Sequence, residues 1–388
     1  MKVLIGTDIH IQKNKGKYYL SHQVYSILKR YHDAFGTIIL YSREYTTLQK
    51  EELFDASDII KESITFERLS STFNHNTRLE NIIKESDLVI GRFHSFAGLK
   101  VEKLARKYNK PFLAEVMGDA FDAYWNHGII GKLIAHYMEN SVKRAVGNAQ
   151  YALYVTEKFL QSKYPCYGIS INASNVKIQQ VSDNVLKARI ERIKNKNDSS
   201  IKLLTTAGVD VKSKGQRYVV EALAKLNEMG VKAIYYLAGG GDTDYLYEIA
   251  KKNGVENQVV FLGRLNNSDV LSKLEEIDIY IHPSLQEGLP RAVIEAMSRA
   301  CPCLGARTAG VPELLDEECI FERKSSDAIV RAITRMLESD MSKYAKNNFE
   351  KSKEYYSDVL NQRRNAFFEQ IKKDIKKGEE NENLSNNR

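Results

Sequence analysis

The chain has 388 residues, 43% of them hydrophobic and 28% charged, with a formal net charge of +7. That length exceeds one ordinary core and suits two domains, the composition is that of a globular chain, and no apolar run reaches the roughly 18 residues that a membrane-spanning helix needs. The charge is uneven, +8 over residues 1–200 and −1 over 201–388, so the first half is basic, yet it holds no module of interleaved aromatic and basic residues for nucleic acid.

The N-terminus, M-K-V-L-I-G-T-D-I-H, has too short an apolar stretch for a secretory signal and reads as a first strand, so the protein is expected in the cytoplasm. From there, apolar strand-like runs alternate with helix-length amphipathic segments, the pattern of a parallel α/β sheet. Strands are predicted near Val3–Thr7, Thr37–Tyr41, Leu88–Gly91, Phe112–Val116 and Ala152–Val155, with helices around His22–Tyr31, Leu99–Tyr108 and Ile130–Val146. A polar segment from Val181 to Ser200 marks a linker. The pattern then starts afresh, with strands at Ile201–Ala207, Ala233–Ala238, Val259–Gly263, Ile277–His282 and Pro302–Gly305, and helices at Gln216–Glu228, Asp244–Lys252, Ser268–Glu276 and Arg291–Ala300. The domains are therefore expected at 1–185 and 198–354. A final helix at about 355–372 follows, its apolar face made by Tyr355, Tyr356, Leu360, Phe367 and Phe368, and 373–388 is charged enough to predict a disordered tail. Cys166, Cys301, Cys303 and Cys319 form no CxxC pair and no zinc-spaced cluster, so reduced thiols and no metal site are expected.

The most informative stretch is Ile277–Ala300, I-D-I-Y-I-H-P-S-L-Q-E-G-L-P-R-A-V-I-E-A-M-S-R-A. It reads strand, loop, helix. Gly288 and Pro290 end the apolar run, and the backbone N–H groups around Gly288, Leu289 and Arg291 would point out of a helix N-terminus, a place for a phosphate or a sugar oxygen. Glu287 in the loop and Glu295 on the second helical turn flank it and suit two hydroxyl-bearing parts of one ligand. The stretch resembles the E-x7-E motif of glycosyltransferase family 4, retaining enzymes that transfer sugars from nucleotide donors. The stretches at 91–98, 115–128 and 154–165 resemble those of its bacterial members that build capsular and exopolysaccharides.

That resemblance implies the GT-B architecture: two Rossmann-like, doubly wound parallel-sheet domains facing a cleft, with the C-terminal helix crossing back to the first. It implies that Glu295 binds the donor ribose, that Glu287 orients the transferred sugar, and that His282 and Ser284 line the same place with Gly288, Leu289 and Pro290. In T-T-A-G-V-D-V-K-S-K-G-Q-R, Lys214 before Gly215 matches the lysine that reaches the donor diphosphate, where a cation stabilises charge on the leaving group. Many relatives carry an arginine where this chain has Val209, and Lys212 or Arg217 is a substitute to consider. Gly240, in L-A-G-G-G-D, matches a turn near the donor, and Arg264 and Leu265 match the backbone that meets the base. Without the resemblance, Lys214 is a surface lysine and the glycine triplet a tight turn.

On the acceptor side, G-R-F-H-S-F-A-G (91–98) and E-V-M-G-D-A-F-D-A-Y-W-N-H-G (115–128) follow predicted strands. Trp125, Asn126 and His127 combine an aromatic face with polar groups, as a carbohydrate site does, although an indole is also a common packing residue. His94, His127 and Asp119 are candidates for the group at the reacting sugar. The expected partners are a nucleotide-sugar donor and a glycan or lipid-linked acceptor, with no nucleic acid, no cofactor and no metal requirement, and with the basic half attached to the inner face of the cell membrane. The competing readings are a non-catalytic partner subunit of another transferase and a nucleotide-sugar epimerase.

Overall fold

A computed structural model describes residues 1–45, 53–66, 72, 74–125, 128–196 and 200–386. The chain forms two compact units, Met1–Asn175 joined by Asn361–Arg388, and Val176–Leu360.

Unit 1 comprises β1 (Lys2–Asn14), β2 (Lys17–Ser21), α1 (His22–Phe35), β3 (Thr37–Glu44), β4 (Leu53–Asp55), β5 (Ile60–Phe66), α2 (Thr77–Glu85), β6 (Leu88–Phe93), α3 (Phe96–Lys107), β7 (Phe112–Val116), α4 (Ala120–Trp125), α5 (Gly128–Gly147), β8 (Tyr151–Tyr154), α6 (Phe159–Lys163) and β9 (Ile169–Asn172). Its parallel strands run in the order β5-β3-β1-β6-β7-β8-β9, and the far end of β1 turns into an antiparallel ribbon with β2 and β4. Central strands are apolar on both faces, as a sheet covered by helices on both sides requires: every residue of β6, β7 and β8 is buried. The sequence pattern showed neither the ribbon nor β5 and β9. Those strands lie at edges, where polar residues interrupt the apolar run.

Unit 2 comprises α7 (Asn184–Lys194), β10 (Ser200–Thr206), α8 (Gln216–Glu228), β11 (Lys232–Ala238), α9 (Asp244–Lys252), β12 (Val259–Gly263), α10 (Asn267–Glu276), β13 (Ile279–His282), α11 (Arg291–Ser298), β14 (Cys303–Ala306), α12 (Val311–Leu314), β15 (Ile320–Phe321), α13 (Ser326–Glu338) and α14 (Met341–Ser352). The sheet order is β12-β11-β10-β13-β14-β15, all parallel. In both units the strand order reverses beside the first strand, so each has a topological switch point outside the carboxyl ends of its strands. The two doubly wound sheets implied by the GT-B resemblance are present.

Two segments differ from the sequence reading. The polar stretch at 181–200 contains α7, which belongs to unit 2, and that unit starts at Val176. Arg189 is the reason: its buried guanidinium donates to the Ile277 and Leu274 carbonyls at 2.5 Å each, an anchor that composition conceals. The last helix, α15 (Ser357–Asn386), continues through the stretch expected to be disordered. Leu360, Phe367, Phe368 and Ile371 are buried, and Phe368 packs on Phe35 and Tyr31 with ring centroids 4.9 and 5.5 Å apart. Ile375, one turn beyond, is also buried and carries the packing into the charged tail. The C-terminal helix thus returns to unit 1.

Candidate functional site

In unit 2 the candidate residues gather at the switch point, after β10 and β13. The loop after β10 ends in Lys212–Lys214, a single 3-10 turn, followed by Gly215 with φ +70. A Cβ there would also collide with the Pro283 carbonyl, so the position requires glycine twice over. Leu285 N–H donates to the Ser213 carbonyl at 2.8 Å. The two loops are thereby held side by side, and Lys214 Nζ meets Glu287 Oε1 at 2.8 Å. His282 Nε2 approaches the same carboxylate oxygen at 3.0 Å, and beneath it Tyr280 OH lies 3.1 Å from Thr206 Oγ1.

Burial by itself would push the Glu287 carboxyl up, but the hydrogen bond and charge of His282 and the Lys214 ammonium outweigh it and hold the group well below the usual carboxylate range. Glu287 is therefore an anion across the physiological range. An ammonium has three donors, and the pair with Glu287 uses one of Lys214's, leaving two for phosphate oxygens. Beyond the loop, Pro290 caps α11, whose internal ladder opens with Val293 N–H to the Pro290 carbonyl at 3.2 Å. Its N-terminal partial positive charge adds to the same end. Half-buried Glu295 has its carboxyl raised by burial, against the opposing charge of Arg291. Such a group gains from a hydrogen-bond donor, and a ribose hydroxyl supplies one.

The other predicted donor residues are placed as follows. Ser284 is buried and its hydroxyl donates to the Gln286 carbonyl at 3.0 Å, so it locks the loop. Gly288 accepts from Gly310 N–H at 2.9 Å, and Leu289 is buried beside it. Gly240 accepts from Val209 N–H at 3.1 Å, which ties the ends of β10 and β11 together, and Gly239 N–H bonds to the Gly263 carbonyl at 2.8 Å, which brings Arg264 and Leu265 alongside. Val209 is buried, so the position cannot offer a cation. Neither proposed substitute turns to Glu287: Arg217 bonds Glu221 at 2.7 Å, and Lys212 lies 4.8 Å over the Tyr245 ring.

In unit 1, His94 follows β6. Burial lowers its pKa against a hydrogen bond to the Gly118 backbone, and its Nδ1 is buried without a hydrogen-bond partner among the described residues. A neutral ring that donates at one nitrogen keeps an acceptor at the other. Asp119 is buried and accepts from Lys163 at 2.7 Å, Tyr164 OH at 2.8 Å and Phe121 N–H at 2.9 Å; its carboxylate is engaged in anchoring α4. Trp125 stacks on Phe121 at 4.8 Å, with Lys132 5.3 Å over its ring. Asn126 and His127 lie outside the described residues.

Three residues were missed in the sequence. Asp8 sits at the switch point of unit 1 and accepts from Phe96 and Ala97 N–H at 2.9 and 3.0 Å, capping α3. Arg323 holds the site loop through the Leu285 carbonyl at 3.1 Å, and Tyr280 underlies His282. An aspartate directly after the predicted strand Val3–Thr7 was a usable signal for Asp8; nothing local marks the other two.

Comparison with known proteins gives a consistent set of relatives. The family model described as glycosyl transferases group 1 matches residues 187–354. Protein CapJ of Staphylococcus aureus is 32% identical over 351 residues, 87% of this chain and 86% of its own length. An Escherichia coli UDP-Gal:alpha-D-GlcNAc-diphosphoundecaprenol alpha-1,3-galactosyltransferase is 26% identical over 140 residues, 34% of each chain. Among solved structures, HepE of Anabaena, determined with UDP-glucose, superposes with a TM-score of 0.60 at 17% identity, covering 97% of this chain and all of its own, which establishes the shared GT-B fold.

Proposed function

The chain belongs to the group 1 glycosyl transferases, and from that premise we propose that it is a retaining enzyme carrying a sugar from a UDP- or GDP-sugar to a glycan or lipid-linked acceptor in surface polysaccharide biosynthesis. The observation that carries this reading is the cluster of Lys214, His282 and Glu287 at the N-terminal end of α11, with Glu295 on the helix itself. Lys214 and the helix terminus stabilise the diphosphate as the sugar bond breaks, Glu287 orients the sugar, and Glu295 takes the ribose hydroxyls. The departing phosphate accepts the acceptor's proton on the face that the sugar leaves, so no carboxylate has to act as base. His94 and Trp125 serve the acceptor. The names of the E. coli galactosyltransferase and of HepE's ligand favour a uridine donor, and the former favours a diphospholipid-linked acceptor. Attachment at the cytoplasmic face of the membrane would follow from such an acceptor and from the basic first half.

The test is thermal unfolding with UDP, GDP and ADP on the native chain and on Glu295→Ala and Lys214→Ala. A ligand at about 100 times its Kd stabilises the folded state by about 2.7 kcal/mol, several degrees in midpoint. One nucleotide should raise the native midpoint and lose that effect in both variants. No shift with any nucleotide at millimolar concentration would remove the donor site.

A further inference from the structure

Among the described residues, unit 1 leaves a helix face uncovered. α5 begins after the loops that carry Asp119 and Trp125 and buries Gly131, Ala135, Met138 and Val142 against the unit. Its opposite face presents Ile129, Ile130, Leu133 and Tyr137, exposed by 82, 73, 74 and 53%. Single exposed apolar residues are ordinary, whereas four within three turns of one helix form a patch that water penalises. Helical spacing continues the stripe from Ile130, Leu133 and Tyr137 to Arg144, and Lys132 and Lys143 are exposed beside it. The helix has one acidic residue, Glu139, whose carboxylate is turned to Lys163 at 3.0 Å. The exposed face is therefore apolar at its first turns, positive along the rest, and free of exposed carboxylates.

We propose that this face of α5 seats the protein on an anionic lipid bilayer. A helix lying in the interface puts large apolar side chains among the acyl chains and lysines at the headgroups, and this face has both in that arrangement. Charge decides against a second copy of this chain as the occupant. A twofold contact through the stripe would bring Lys132, Lys143 and Arg144 of both copies together with no exposed acid on α5 to offset them. Lipid phosphates offset them directly. Trp125 lies under the Lys132 ammonium at the first turns of α5, so seating would also hold the acceptor side of unit 1 at the headgroup layer. That consequence rests on the transferase reading above; the seating does not.

The experiment is cosedimentation of the full chain with phosphatidylglycerol-containing vesicles and with pure phosphatidylcholine vesicles, together with an Ile130→Ser/Leu133→Ser variant and a Lys132→Ser/Lys143→Ser variant. The native chain should bind the anionic vesicles, and each variant should bind them roughly tenfold or more weakly, the lysine variant losing most at low salt. Both variants change exposed positions and should keep the native circular dichroism. Absence of native binding, or undiminished binding by the isoleucine–leucine variant, overturns the proposal, as does a native dimer in light scattering that this variant dissociates. A chain that binds vesicles but shows no nucleotide-dependent shift sustains the seating and removes the transferase reading; a nucleotide shift without vesicle binding does the reverse.

Discussion

Glu287 and Glu295 are eight residues apart and titrate in opposite directions, because one has cationic and hydrogen-bonding partners and the other mainly burial. The folded-state pKa of Glu287 is depressed, so its contribution to stability is present above the ordinary glutamate value of about 4.3 and is lost as pH falls through the lower folded value. Glu287→Gln should therefore lower the melting midpoint at pH 7, with the difference closing in acid. For Glu295 the shift is upward: the folded state holds the proton more tightly, and that stability is lost as pH rises through the folded value. Glu295→Gln should raise the midpoint of the unliganded protein at pH 7 while weakening the nucleotide-induced shift. Midpoints measured from pH 3 to 8 check both; a Glu295→Gln variant less stable than native at pH 7 would contradict the burial argument. The acid pair itself was legible in the sequence through its motif. Their opposite titration was not, since Lys214, the cation that helps decide it, is 73 residues away.

Elements show where composition misleads. α7 reads as a linker because its residues are polar, yet Arg189 closes four partners, the Leu274, Ile277 and Arg299 carbonyls and Cys301 Sγ. Arg189→Met roughly keeps the volume, removes the guanidinium donor from the buried Ile277 carbonyl and leaves the Leu274 carbonyl only the weak Cys301 thiol donor, so it should destabilise the protein by about 3 kcal/mol, read from urea unfolding. A loss below about 0.5 kcal/mol would mean that water replaces the guanidinium. α15 reads correctly as an amphipathic helix, and its aromatic pair meets α1 and β8 as a packed cluster. Phe368→Ala should cost about 3–5 kcal/mol, the range for a large buried aromatic. The unit it unfolds is unit 1, so hydrogen exchange should rise across 1–175 first.

For the whole molecule, the division into two units puts the residues of the proposed donor site, Lys214, His282, Glu287 and Glu295, in one of them. UDP should slow amide exchange around 207–215 and 282–295 in unit 2 while leaving β5 and β9 of unit 1 unchanged. The electrostatics at the site come from Lys214 and the α11 terminus, so turnover should survive a chelator; loss restored by magnesium or manganese would overturn that. No helix among the described residues is long and apolar enough to cross a membrane. By itself the sequence determined the alternation of strands and helices, the two-part organisation and the motif bearing Glu287 and Glu295, because periodicity, turn residues and motif spacing are local properties. Only the tertiary structure decided the strand order that reverses between β10 and β13 and brings Lys214 onto Glu287, the engagement of Asp119 by Lys163 and Tyr164, and the outward face of α5. Those depend on which distant segments pair and what they cover, and a linear pattern carries no record of that.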